Sequence, residues 1–135
     1  MKLMGEKLVE DYHRLGAFDY TIIRPTAVYG PSDGNRRVLR IFLENALRGK
    51  PLVVRGRDSR LDFTWVEDTA EGIVLATLRP EASKKVFNIS RGVSRTLGEA
   101  ASIIAELVPG TDIRYEDSDS RMPSRGALES ATTMR

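Results

Sequence analysis

Tyr20-Thr21-Ile22-Ile23 is a run of four β-formers that leads into Arg24-Pro25-Thr26-Ala27-Val28-Tyr29-Gly30-Pro31. The run reads as a buried strand. Pro25 has no backbone donor and is expected to end the ladder, and Gly30-Pro31 forces a second change of direction. In α/β proteins, a strand that stops abruptly in a loop of small residues is where ligand groups are placed. The stretch therefore demands a fold that supports a strand and then opens a site at its end.

The neighbouring segments supply such a fold. Lys2 to Arg14 reads as a helix with Leu3, Met4, Leu8 and Tyr12 near one face, stopped by Gly16. The loop is expected to run to Arg36. Val38, Ile41, Phe42, Asn45 and Ala46 recur at helical spacing up to Gly49. Pro51-Leu52-Val53-Val54 is a short strand bounded by Gly56, and Leu61 to Val66 alternates as a half-buried extended segment does. Asp68-Thr69-Ala70-Glu71 and Thr96-Leu97-Gly98-Glu99 are capping-box patterns that open two further helices. The first helix is expected to run to about Leu78. The second carries Leu97, Ala101, Ile104 and Leu107 on one face. Lys85 to Ile89 and Ile113 to Tyr115 are strands, and from Glu116 onward the chain is polar and irregular. Strands alternating with helices predict α/β architecture. The apolar face of the first helix has few elements to pack against, so residues 1–135 read as one partial domain of something larger.

The 135 residues suffice for one core and are too few for two. With 41% hydrophobic and 30% charged residues the chain reads as globular, and its net charge of +2 with dispersed arginines carries no nucleic-acid signal. There is no cysteine, which excludes disulfides and thiolate chemistry and fits a cytoplasmic protein. With a single histidine, His13, and no cluster of metal-ligating residues, no metal site is expected. No apolar run approaches the roughly 18 residues needed to span a membrane.

Six segments, in order, carry a family resemblance: Lys2 and Glu6 on a helix; Arg24 to Pro31; Gly49-Lys50-Pro51-Leu52; Asp62, Phe63, Val66 and Asp68; Phe87-Asn88-Ile89 with Gly92; and Pro123 to Leu128. Together they resemble the extended short-chain dehydrogenase/reductases, in particular the NAD-dependent epimerase/dehydratase enzymes of nucleotide sugars. The resemblance implies the carboxyl-terminal part of a Rossmann-like fold, with short strands and helices forming a substrate-binding region. It implies NAD or NADP as cofactor and a nucleotide sugar as ligand, while the apolar face of the Lys2–Arg14 helix leads to the expectation of a homo-oligomer. Nothing in the sequence reads as the Gly-rich dinucleotide turn, and the family's catalytic tyrosine would lie four residues before Lys2, outside these residues. By themselves they are expected to be inactive and to bind the cofactor weakly.

Residue by residue, Lys2 corresponds to the family lysine that bonds the nicotinamide ribose and lowers the tyrosine's pKa. A fixed ammonium beside a phenol favours the phenolate, which is then a usable base. Pro25, Thr26 and Ala27 match positions that approach the nicotinamide and the substrate. Many nucleotide-sugar epimerases carry Asn where Ala27 stands, and that departure blurs the substrate. Val53 matches the strand on which the nucleotide base is laid, with a core strand as the plain alternative. Arg60 resembles the arginine that pairs with the diphosphate, a task suited to a guanidinium fork. It stands one place out of register, so Arg57 or Arg55 could serve instead. Arg121 falls near another nucleotide-contacting arginine. Tyr29 is equally read as packing, and Asp62 and Asp68 as structural residues that bond backbone or cap a helix. Two other readings stay open: a non-catalytic, self-associating module or truncated gene product, and a reductase or hydroxysteroid-type dehydrogenase of the same family.

Overall fold

A computed structural model describes residues 2–117. In chain order the elements are α1 (Lys2–Arg14), β1 (Ile22–Pro25), β2 (Ala27–Tyr29), α2 (Val38–Leu47), β3 (Leu52–Arg55), β4 (Arg60–Leu61), β5 (Phe63–Trp65), α3 (Val66–Leu78), a 3-10 turn at Pro80–Ala82, β6 (Val86–Ile89), β7 (Arg95–Thr96), α4 (Leu97–Leu107) and β8 (Ile113–Glu116). The strands pair two by two. β1–β6, β2–β5 and β3–β8 are parallel, and β4–β7 is antiparallel. Parallel partners need crossover connections, and the helices expected from apolar periodicity provide them. The α/β expectation is met.

The principal core lies where α2 and α4 cover β3 and β8. Phe42, Ala46, Leu52, Val54, Ala101 and Ile104 are buried there, with Val38, Leu39, Leu97, Val108 and Ile113 packed around them. α4 opens on the expected capping box. Thr96 Oγ1 accepts the Glu99 N–H at 3.0 Å, and Glu99 Oε2 accepts the Thr96 N–H at 2.8 Å. Leu107, expected on the buried face of α4, is instead 72% exposed, because the buried stripe runs from Leu97 through Ala101 and Ile104 to Val108 and Leu107 falls to one side of it.

The Arg24–Pro31 stretch departs from its reading. β1 continues through Pro25, which pairs with Ile89, and only Thr26 separates it from β2. The Ile22 and Thr26 N–H groups both donate toward the β6 side, to the carbonyls of Lys85, just before that strand, and of Ile89. Along a strand alternate residues donate to the same side, so the missing donor of Pro25 falls on the edge away from β6. The Ala27 N–H then bonds the Asp62 carbonyl, and the chain transfers from one ladder to another. The loop begins only at Gly30. A Cβ at that position would lie 2.4 Å from Val66 Cγ1, so glycine permits the close approach of the loop to α3.

Two further boundaries move. The extended segment expected over Leu61–Val66 is broken at Asp62, and Val66 already belongs to α3. The expected Asp68 capping box is absent: the cap position is Trp65, without a side-chain cap, and Thr69 Oγ1 donates to the Trp65 carbonyl from inside the helix. Asp68 instead places its carboxylate in the first turn, where the helix dipole favours a negative charge.

α1 sits differently from the other helices. It has no buried residue; Glu6, Val9, Glu10 and His13 are half-buried, while Leu3, Met4, Leu8 and Tyr12 are exposed. His13 meets the Phe18 carbonyl at 2.7 Å and stands edge-on to Tyr20. Gly16 takes a left-handed φ of 77° and ends the helix as expected. Among the described residues no helix is long and apolar enough to cross a membrane.

Candidate functional site

Six elements, α1, β1, β2, α2, β4 and β5, border a cleft of about 560 Å³. Lys2 enters from the first turn of α1, Pro25 from the end of β1, Ala27, Val28 and Tyr29 from β2, and Arg60 and Leu61 from β4. Thr26 lies between β1 and β2, Asp62 between β4 and β5 and Ser94 just before β7, and Asp33 and Arg37 come from the loop before α2. Of the residues singled out in the sequence, Lys2, Pro25, Thr26, Ala27 and Arg60 share this cleft. Val53 does not: it is half-buried on β3, opposite Arg114. Arg121 lies outside the described residues. The substitutes for Arg60 are engaged elsewhere, because Arg55 pairs with Glu116 at 2.9 Å and Arg57 stacks over the Tyr115 ring.

The walls are fixed by specific bonds. Arg24 Nε and Nη2 reach the two Glu6 oxygens at 2.9 and 2.5 Å, tying α1 to β1. This bidentate guanidinium holds the Glu6 carboxyl below its ordinary range and raises the pKa of Arg24 in return. Glu6 stands one turn beyond Lys2, but both its oxygens face Arg24. Lys2 is therefore left without a carboxylate partner among the described residues. Thr26 and buried Thr64 share a hydroxyl hydrogen bond at 2.6 Å, which locks β2 against β5. Tyr29 packs edge-on against Phe63 and Trp65, so the packing reading holds for it even though it also lines the cleft.

The cleft has a definite charge character. Asp62 accepts the Arg91 and Gly92 N–H groups at 3.0 and 2.9 Å, the structural use expected of it. Asp33 Oδ1 accepts the Asn35 N–H at 3.0 Å. The carboxylates are thus turned onto backbone donors, whereas Lys2, Arg37 and Arg60 have no ion-pair partner among the described residues. Arg60 is oriented by neutral partners, with Nε donating to Ser94 Oγ and Nη2 to the Ser94 carbonyl, both at 3.0 Å. Three cations around a hollow whose anions are already bonded suit an anionic ligand. No group of three or more His, Cys, Asp or Glu residues able to hold a metal occurs among the described residues.

Sequence reasoning missed Asp33, Arg37 and Ser94. Arg37 stands immediately before a clear amphipathic helix, and that position could have marked it. Ser94 reaches Arg60 through the β4–β7 pairing, which no local pattern announces. A second hollow of about 580 Å³ shares Tyr29 and Phe63 with the cleft and is lined by Trp65, Asp68, Glu71 and Asn88, but it holds none of the five residues gathered in the first.

Comparison with known proteins extends the picture. The NAD dependent epimerase/dehydratase family model matches residues 1–90. UDP-D-apiose/UDP-D-xylose synthase 1 of Arabidopsis thaliana is 28% identical over 155 residues, covering 90% of this chain and 40% of that protein. An epimerase from Methanothermobacter thermautotrophicus superposes with a TM-score of 0.80 at 28% identity, over 87% of this chain and 37% of its own. UDP-glucose 4-epimerase from Thermotoga maritima, solved with UDP-glucose, gives a TM-score of 0.79 at 26% identity, over 89% and 40%. The chain spans about two fifths of the length of these relatives.

Proposed function

Because this chain belongs to the NAD dependent epimerase/dehydratase family, with a Rossmann-like short-chain dehydrogenase/reductase fold, we propose that it forms the nucleotide-sugar-binding part of such an enzyme. The observation that carries the reading is the cleft itself. Lys2, Pro25, Thr26, Ala27 and Arg60, distant in sequence, line one cationic hollow beside the β1–β2 transfer point. The ligand has an anionic diphosphate and an uncharged sugar. Arg60, held at the rim by Ser94, presents the remainder of its fork to the diphosphate. Pro25, Thr26 and Ala27 offer a small, nonpolar wall to the sugar, since the Thr26 hydroxyl is already bonded to Thr64.

Lys2 fits the cofactor's ribose on chemical grounds. Its ammonium has three donors, lies at the cleft, and lacks a carboxylate partner among the described residues. Bound nicotinamide dinucleotide would supply the hydride acceptor for the sugar. The residues of this chain would bind, orient and exclude water, with Lys2 holding a ribose hydroxyl and favouring an ionised phenol brought close to it.

The test is an NMR titration of the 135-residue chain with UDP-glucose and with NAD. UDP-glucose should shift the amides of residues 25–29, 37, 60–62 and 94. Replacing Arg60 by Ala should weaken binding by roughly tenfold, the loss expected for a charge-assisted hydrogen bond. Shifts confined to other surfaces would refute the assignment. NAD should bind weakly and no epimerisation should occur with this chain alone. Micromolar NAD affinity would contradict that part.

A second reading has its own observation. Leu3, Met4, Leu8 and Tyr12 expose one stripe of α1, and contiguous apolar surface of that kind tends to be covered. A self-associating module accounts for it, and sedimentation showing a folded monomer at high concentration would dismiss this reading.

A further inference from the structure

We propose that two exposed helix faces of this chain complement each other, so that α2 of one copy docks on α3 of a second copy. The proposal is independent of the nucleotide-sugar reading. The face of α3 is acidic at its start and apolar at its end. Glu67, Glu71, Val74 and Leu78 recur at i, i+4, i+7 and i+11, on the side opposite the buried Thr69 and Ala76. α3 contains no basic residue, and its carboxylates have no ion-pair partner among the described residues.

The face of α2 has the same order with the opposite charge. Arg36 and Arg40 are followed by Leu43 and Leu47 at the same four spacings. Arg36 precedes the helix, but its guanidinium reaches Glu44 at 3.4 Å, which brings it onto this face. Arg40 and Arg48 stand 2.7 and 4.0 Å from the same Glu44, so three arginines share one carboxylate and the face stays positive. Helix stability does not account for the arrangement. The first turn holds no acid, its cations oppose the dipole, and Arg40 before Glu44 is the weaker orientation of an i, i+4 pair.

Laid parallel, the faces set Arg36 and Arg40 against Glu67 and Glu71, and Leu43 and Leu47 against Val74 and Leu78. Laid antiparallel, they would set every charge against an apolar side chain. Leu47 and Leu78 are 75% and 73% exposed, so both have surface to remove from water. Exposed ion pairs contribute little energy, so the apolar ends supply the attraction and the charges fix the register. The two faces differ, which makes the contact heterologous, and its small area makes it weak.

Sedimentation velocity tests this in chains that all carry Leu8→Ala, which removes the α1 stripe. This parent should associate at high protein concentration, and raising salt from about 0.05 to 0.5 M should weaken it several-fold through screening. Leu47→Asp blocks α2 and Glu71→Arg blocks α3, and either should weaken association about tenfold or more. Both positions are exposed, and Leu78→Asp takes the place of Glu71→Arg should that variant fail to fold. The deciding measurement mixes the two blocked chains. Each keeps one intact face, so together they should form a one-to-one complex that neither forms alone. The inference is overturned by a parent that stays monomeric, by association that ignores salt or either substitution, or by a mixture that stays monomeric.

Discussion

Glu6 and Arg24 meet through two parallel contacts on the surface where α1 touches β1. The folded carboxyl titrates below its unfolded value of about 4.3, so folding releases a proton around that pH. The sign follows from linkage: the pair's stabilisation is complete above the unfolded value and is lost as pH falls through the folded one. Replacing Glu6 by Gln should therefore lower the thermal midpoint at pH 7, and the gap between variant and parent should narrow as pH falls through the lowered folded value. A gap that stays constant with pH would show that the contact acts by shape rather than charge. Gly30 is the other decisive residue, and its case is steric. An alanine Cβ would meet both Val66 Cγ1, at 2.4 Å, and Val66 Cβ, at 3.0 Å, near the stiff base of a β-branched side chain at the start of α3. Overpacking of this kind costs about 1–3 kcal/mol, so urea unfolding of the Gly30→Ala variant should show that loss. The loop carrying Asp33 and Arg37 should also shift.

Elements were legible where one local pattern decided them. α2 and α4 follow from apolar spacing, and the Thr96–Glu99 box fixes the start of α4 to the residue. Removing the Thr96 hydroxyl by alanine should cost about 1 kcal/mol, and serine should restore most of it. Equal loss in both variants would mean that the methyl matters and the cap does not. The α3 boundary was less legible because Asp68-Thr69-Ala70-Glu71 offers the same pattern, but Tyr29 and Trp65 pack together and hold β5 directly against the helix start. Pro25 misled for a related reason. Its missing donor ends a ladder only when that donor faces a partner, and the facing edge depends on register with Lys85 to Ile89, some sixty residues away. The gathering of Lys2, Thr26, Ala27 and Arg60 was legible only through family resemblance, since no local spacing brings α1, β1 and β4 together. Arg37 escaped notice because α2 was read from its apolar face, and the cleft meets the residue just before that face begins.

Across the whole molecule, burial is uneven. Leu52, Val54, Ala101 and Ile104 form the interior between α2, α4, β3 and β8, whereas α1 buries nothing and α3 exposes Ile73, Val74, Leu75 and Leu78. Two regions of different local stability should result, because opening free energy follows the apolar contact that must be broken. Replacing Ile104 by Ala leaves a cavity in the interior and should cost about 2–5 kcal/mol. Replacing Leu8 by Ala alters an exposed position and should stay within about 0.5 kcal/mol at low protein concentration. Hydrogen exchange distinguishes the regions directly: amides of α4 and β3 should be the slowest and those of α1 among the fastest. Concentration gives the sharper measurement. If the stripe of Met4, Leu8 and Tyr12 pairs with a second copy, protection in α1 rises with protein concentration, and Leu8→Ala abolishes the rise while α4 is unchanged. Protection in α1 that does not vary with concentration would rule out self-association through this face, leaving the cationic cleft to account for the chain's function.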